Sequence, residues 1–307
     1  MIYGRGGSGK TKHIFDEIKN QLKDEKKEKI ILLVPEQYSF RTEQKILKEL
    51  GQSSVFKVSV LSFNTLVKMI LTTVGGATHR LISETGKTML MTKVMGEIKE
   101  DLTLFKGVAS KPSFIEMAKN LVDEMKRYDL DLDELETVID ETDDQELKQK
   151  FQDILRFYYA YEEEIHKGFV DQIDEVSFAM DKVVDADFLT GAEIYIDEFN
   201  DFSVVQLKFI ERLMRKAKRV IITLTLDKSK VTGDVFQITK DTESQIYKLA
   251  EIAGVAIEKP VIIDDETPLR FQENREIAHL ESQYFTYPNE VYEGKVGAVQ
   301  LYKAQNT

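Results

Sequence analysis

The chain has 307 residues, 42% hydrophobic and 31% charged, with a formal net charge of −12, no cysteine and four histidines. Such values describe a globular protein with room for one large domain or two modest ones. They exclude disulfides, cysteine-ligated zinc and iron–sulfur clusters. No stretch approaches the ~18 uncharged apolar residues of a membrane span, so a cytoplasmic setting without a membrane partner is expected. The acidity is local, because Asp129 to Glu146 carries ten acids and no base. That segment reads as a solvated helix pair and linker, and composition by itself neither supports nor excludes DNA as a partner.

In chain order, Met1-Ile2-Tyr3 reads as the end of a strand. It runs into Gly4-Arg5-Gly6-Gly7-Ser8-Gly9-Lys10-Thr11, a complete G-x-x-x-x-G-K-S/T loop. Such a loop turns backbone N–H groups inward around phosphates. Its lysine reaches the β- and γ-phosphates, and its hydroxyl residue sits on Mg²⁺. The helix expected over Lys12 to Leu22, with Ile14, Ile18 and Leu22 on one face, adds its dipole to the site. All eight loop residues are therefore candidate phosphate ligands for ATP, with Thr11 a candidate Mg²⁺ ligand. A phosphate loop at this place is not the pattern of a signal peptide.

Lys29 to Val34 is a buried apolar strand that Pro35 ends. Ser39 to Leu50 reads as a helix stopped by Gly51, Val55 to Leu61 as a third strand, and Phe63 to Leu71 as a helix broken at Gly75-Gly76. From about Glu84 to Val184 the pattern is almost entirely helical. Ser113-Phe114-Ile115-Glu116 reads as a capping box. Glu146 to Lys167 is an aromatic-rich helix that Gly168 would cap; its tyrosines read as core more readily than as base-stacking platforms. Strand–helix alternation then returns: Glu193 to Ile196, a helix from Val204 to Lys216, Arg219 to Leu226, a helix from Thr242 to Ile252, and Val261 to Ile263. The expected fold is α/β, a P-loop NTPase parallel sheet with an inserted all-helical domain.

A phosphate loop needs a carboxylate at the end of a neighbouring strand to hold Mg²⁺ through water. The run Ile194-Tyr195-Ile196 leads straight into Asp197-Glu198, making Asp197 the candidate metal ligand. Glu198 is either a general base for attacking water or a solvated leftover.

Asp197-Glu198-Phe199-Asn200-Asp201, followed by Gln206, resembles motif II of superfamily 1 helicases. Val34-Pro35-Glu36-Gln37-Tyr38-Ser39-Phe40 and Val60-Leu61-Ser62-Phe63 lie where those helicases place DNA-contacting segments. Together with the loop at Gly4 and the stretch Ile277-Ala278-His279-Leu280-Glu281, they resemble the N-terminal region of the AddB family, the B subunit of a bacterial ATP-dependent helicase/nuclease. The resemblance spans the chain. It implies a helicase 1A-like domain over residues 1–80 and 185–290, a 1B-like insertion over 81–184, and the start of a 2A-like domain over 291–307, with Gln300 to Ala304 as its first strand. It further implies DNA contacts at Gln37, Tyr38, Ser39, Ser62, Phe63 and Asn64, to double-stranded ends or a single strand. A motor-bearing A subunit is the implied partner, in double-strand-break processing. Ser39 and Ser62 would serve equally as helix caps.

The chain departs from the motor pattern in three ways. The coupling motif Gly-Asp-x-x-Gln is absent after the strand ending at Leu226, leaving Asp227 as a remnant. No second motor lobe or arginine that would stabilise a transferred phosphoryl group is visible. Glu198 stands where the resembled family often has glycine. The expectation is ATP–Mg²⁺ binding with negligible hydrolysis and no nuclease site. Two other readings remain open: a stand-alone P-loop phosphotransferase with Arg80, in Thr78-His79-Arg80, as lid arginine, or an interaction scaffold in which the loop merely survives.

Overall fold

Two apolar runs become strands buried along their whole length, as the inner parallel strands of α/β proteins are; all four residues of Ile30–Leu33 and of Glu193–Ile196 are buried. The structure is a computed structural model and describes residues 1–23, 29–51, 54, 57–76, 80–228, 234–284 and 286–303. In chain order, β1 (Ile2–Gly4) leads to α1 (Lys10–Lys23), β2 (Ile30–Leu33) to α2 (Glu36–Leu50), and β3 (Val58–Leu61) to α3 (Phe63–Val74). Then come β4 (Arg80–Leu81), α4 (Glu84–Ile98), α5 (Pro112–Arg127), α6 (Leu132–Glu141), α7 (Gln145–Ile165), β5 (Phe169–Val170) and α8 (Gln172–Lys182). The last part holds β6 (Glu193–Ile196), α9 (Val204–Lys216), β7 (Arg219–Thr225), α10 (Gln237–Ala253), β8 (Val261–Ile263) and α11 (Arg275–Gln283).

Six strands form one sheet in the order β3-β2-β6-β7-β1-β8, and every pairing is parallel. The expected α/β class with a parallel sheet is present. This order sets β7 between β1, which delivers the Gly4–Thr11 loop, and β6, which delivers Asp197.

Two compact units are distinguished. The first comprises Met1–Phe63, Asp187–Phe202 and Leu213–Thr307; the second comprises Asn64–Ala186 and Ser203–Arg212. In the first, Ile14, Phe15 and Ile18 of α1 pack with Ile30, Leu32, Tyr195 and Ile221 of the sheet. In the second, Met91, Met95, Ile115, Val122, Phe157 and Tyr161 join α4, α5 and α7 around one core. Its buried charges are paired. Lys87 meets Asp123 at 2.8 Å, and Lys126 meets Asp171, Asp174 and Glu162 at 2.6–2.7 Å. Asp153, with no solvent exposure, accepts backbone N–H groups of Thr103, Leu104 and Phe105.

Several local expectations are corrected. α2 begins at Glu36, directly after Pro35, so Ser39 lies inside the helix and is not a cap. The capping box at Ser113 does not form: α5 begins at Pro112, whose fixed φ suits the first helical position, and Lys111 is the uncapped N-cap. A reciprocal box forms at Ser203 instead. Its hydroxyl accepts the Gln206 N–H at 3.2 Å while the Gln206 amide oxygen accepts the Ser203 N–H at 2.9 Å. Gly168 is not a left-handed stop, because α7 ends at Ile165 with His166 as a right-handed C-cap.

The helical region also holds a small parallel pair, Arg80–Leu81 against Phe169–Val170. Of the third predicted strand, residues 55 and 56 lie outside the described residues, as do Thr78, His79 and Ala304. Residues 300–303 form no strand. Among the described residues no helix is long and apolar enough to cross a membrane.

Candidate functional site

At the C-terminal end of β1 the loop Gly4–Thr11 folds back and enters α1, whose first N–H groups have no intrahelical acceptor. Two glycines are required sterically. A Cβ on Gly4 would stand 2.3 Å from the Ser8 hydroxyl, and Gly7 combines φ +82 with a Cβ position 2.8 Å from the Arg270 Cβ. The loop can therefore close only with glycine at both. Ser8 is 5% exposed, and its buried hydroxyl has no hydrogen-bond partner among the described residues. Lys10 Nζ donates to the carbonyls of Gly4 at 2.9 Å and Arg5 at 3.0 Å. Burial holds its pKa below the usual lysine range, against the opposing pull of Asp197 and Glu198.

Arg5 behaves differently from its neighbours. Its guanidinium bonds Glu281 at 2.8 Å and the carbonyls of Asp265 and Glu266, and lies 3.9 Å from Asp227. The side chain is thus held by the segments after β7 and β8, and only its backbone belongs to the loop. Asp227 is accordingly a partner of Arg5.

Thr11 Oγ1 donates to Asp197 Oδ2 at 2.7 Å, and Thr223 Oγ1 donates to Asp197 Oδ1 at 2.5 Å. The strand order explains this: β7 separates the two functional strands and places Thr223 beside the buried carboxylate, which is 2% exposed. No sequence motif marks Thr223. Its only signal is the threonine alternation with Thr225 in an otherwise apolar strand. The Glu198 carboxylate lies 3.4 Å from the same Thr11 hydroxyl. Its backbone has φ +66, a left-handed conformation where glycine is at ease and glutamate is not. Replacing Glu198 by glycine is therefore expected to cost no stability. Release of about 1–2 kcal/mol of strain offsets the ~0.5–1 kcal/mol entropic penalty of glycine. Glu198→Val, with a β-branched side chain, should be the less stable variant by about 1 kcal/mol or more, and urea denaturation of the pair decides the order.

These groups line a cavity of about 410 Å³ together with Lys12, Tyr38, Lys45, Leu269 and Arg270. Leu269 and Arg270 come from a short turn after β8 that no sequence motif marks, and the Arg270 N–H donates to the Gly7 carbonyl at 3.0 Å.

The six residues expected to contact DNA have different surroundings. Gln37 is exposed near the start of α2, and Tyr38 lines the cavity over the loop. The buried Ser39 hydroxyl has no hydrogen-bond partner among the described residues. Ser62 and Phe63 are 3% and 5% exposed, and the Phe63 ring packs edge-on against Phe199 at 5.4 Å and Phe202 at 6.2 Å. Phe63 is thus a core residue. Asn64 is half-buried at the start of α3.

Known proteins carry the same sequence pattern. The family described as "ADDB, N-terminal" matches residues 1–281. A protein of Clostridium perfringens, named as the B subunit of an ATP-dependent helicase/deoxyribonuclease, is 36% identical over 309 aligned positions, covering all of this chain and 27% of the relative. Proteins of the same name from Caldanaerobacter subterraneus and Clostridium novyi are 36% and 34% identical, again over the whole chain and 27% of the relative. The chain thus spans about a quarter of the length of the curated relatives it matches. By the extent of the family match, from the loop at Gly4 into α11, this chain belongs to the AddB N-terminal family.

Proposed function

We propose that this chain is the nucleotide- and DNA-binding N-terminal lobe of the B subunit of a bacterial ATP-dependent helicase/deoxyribonuclease. It acts beside a motor-bearing A subunit in double-strand-break processing and recombinational repair. The observation that carries the reading is the convergence of Thr11, Asp197 and Thr223 on the floor of the cavity lined by the Gly4–Thr11 loop. The residues fit a nucleoside triphosphate with Mg²⁺. Gly6, Gly7 and Gly9 line one cavity with Lys10, Thr11 and Asp197, and that donor set is the one a phosphate site uses.

In this reading the loop N–H groups and Lys10 hold the phosphates, and Thr11 and Asp197 hold Mg²⁺. The bound metal–triphosphate supplies a phosphoryl group polarised toward attack by water. Thr223 orients Asp197, and Glu198 is placed to accept a proton. The sheet unit corresponds to lobe 1A of superfamily 1 helicases and the helical unit to insert 1B. DNA is held without sequence readout by backbone and polar groups near Gln37, Ser62 and Asn64; affinity for DNA is then expected to fall steeply with salt.

Titration of the full-length protein with ATP, with and without Mg²⁺, tests the nucleotide site. Asp197→Asn is expected to weaken Mg²⁺-dependent ATP binding by about 10- to 100-fold, the usual scale for losing a group that holds a metal through water. If this variant binds ATP–Mg²⁺ as wild type does, the metal assignment is wrong.

A further inference from the structure

Glu281 closes the stretch Ile277–Glu281, which the nucleotide site leaves without a role. In the structure its carboxylate accepts a hydrogen bond from Arg5 at 2.8 Å, across 276 positions of the chain. The same guanidinium donates to the carbonyls of Asp265 at 3.1 Å and Glu266 at 2.8 Å, and lies 3.9 Å from the Asp227 carboxylate. The Arg5 side chain is 14% exposed and that of Glu281 22%, so the pair is largely sheltered from solvent screening. α11 has a second anchor. Glu276 accepts the N–H groups of Gly297, Ala298 and Val299 at 2.7–3.2 Å. Five residues separate the two glutamates, which puts them about 140° apart round the helix, and Glu281 is the one bonded to the loop.

The Arg5 backbone faces the other way. Its carbonyl accepts the Ser8 N–H at 3.1 Å, which closes the turn of the loop, and the Lys10 ammonium at 3.0 Å. The neighbouring Gly4 carbonyl accepts the same ammonium at 2.9 Å. One residue thus carries the seat of Lys10 on its backbone and the link to α11 on its side chain.

We propose that Glu281 is a positioning residue of the phosphate site: through the Arg5 side chain it fixes the Arg5 carbonyl, and with it the Lys10 ammonium, so that a triphosphate meets a cation already in place. The inference rests on the nucleotide-site reading above and adds to it a residue from outside the loop and the Asp197 strand. The physical gain is preorganisation. A cation that is seated before binding loses less freedom when the phosphate arrives. A planar guanidinium suits the link, since it spans one carboxylate and two carbonyls at once.

The test is titration of the full-length protein with ATP and Mg²⁺ for wild type, Glu281→Gln, Arg5→Met, the double variant, Glu276→Gln and Lys10→Ala, over about pH 7 to about pH 10. Glu281→Gln should lose about 2- to 30-fold in affinity, the range over which supporting residues modulate a site they do not touch. The double variant should lose no more than Arg5→Met, because Glu281 acts through Arg5 alone. Glu276→Gln should stay within about twofold of wild type. If Arg5→Met does not fold, the comparison of Glu281→Gln with Glu276→Gln still decides.

The pH profile separates positioning from a charge effect. Asp197 and Glu198 raise the Lys10 pKa, while burial, the largest influence, and Arg270 lower it. Freeing Lys10 from its seat exposes it and raises its pKa, so the alkaline decline in ATP affinity should move to higher pH in Glu281→Gln. Removing a negative charge alone would move it to lower pH. A decline that stays in place or moves down overturns the proposal. So would an unchanged affinity in Glu281→Gln, additive losses in the double variant, or an equal loss in Glu276→Gln. If wild type binds no ATP, or Lys10→Ala binds it as tightly as wild type, the nucleotide-site reading fails and this proposal with it.

Discussion

Lys10→Ala is expected to lose ATP binding by at least about 100-fold, as measured by calorimetric titration of the full-length protein. The amine is held at the loop by the carbonyls of Gly4 and Arg5, so a phosphate group meets a cation already in position. Each hydrogen bond to a charged group contributes about 1.5–3 kcal/mol, and Lys10 can make more than one. The pH dependence has a definite sign. Burial lowers the Lys10 pKa, so the amine loses its proton at a lower pH than an exposed lysine. ATP affinity should therefore fall as pH rises through that lowered value, before ordinary lysines near ~10.4 titrate. Lys10→Arg, which stays charged, should abolish that decline whatever its affinity. An alkaline decline that persists in Lys10→Arg would assign the titration to another group.

Lys126→Met is expected to destabilise the helical unit by about 3–5 kcal/mol, the cost of leaving buried charge without its partner. The Lys126 side chain is 4% exposed and meets Glu162, Asp171 and Asp174 at 2.6–2.7 Å. Burial alone would depress its pKa, but the three carboxylates outweigh burial and raise it. Burial already raises the pKa of Glu162 and Asp174, whereas Asp171, despite burial, is lowered by Lys126 and the Asp174 N–H. Without the ammonium, the upward shifts grow and the carboxyls take up protons as pH falls. The loss of stability should therefore be smaller at about pH 5 than at about pH 8, since the folded variant binds more protons than its unfolded chain. Chemical denaturation at both values checks this. A penalty that is the same at both, or under about 1 kcal/mol, would show that the cluster does not depend on Lys126.

Much of the site was legible because its chemistry is local in the chain. A loop that wraps an anion with backbone N–H groups needs glycine at Gly4 and Gly7 and a cation at Lys10. A carboxylate brought to a strand end beside that loop needs an apolar run before Asp197. What was not legible comes from pairs far apart in sequence. Thr223 bonds Asp197 only because β7 lies between β1 and β6. Asp227 has the place of a motif remnant, yet its role is set by Arg5 beside it. Arg270 stands in a three-residue turn with no periodicity and no motif.

Local signals also misled where two competed. Ser113 and Glu116 have capping-box spacing, yet Pro112 claimed the first turn. Ser203 and Gln206 formed a box of their own. β4 and β5, two residues each, are too short for alternation to appear. At Phe63, which the resemblance places among the DNA contacts, the ring packs edge-on against Phe199 and Phe202.

The amino-acid sequence by itself determined the α/β class, the glycine-rich loop, and the carboxylate that faces it. Each depends on residue type and on neighbours within a few positions. Only the tertiary structure decided which side chains remain available around that loop. Arg5 is tied to Glu281 and to carbonyls after β8, Glu198 is held at φ +66, and Arg270 is laid over Gly7 with its N–H on the Gly7 carbonyl. The reason is electrostatic and geometric. Whether a charged group is already compensated depends on partners brought together by strand order, and strand order is not written in any one segment of the chain.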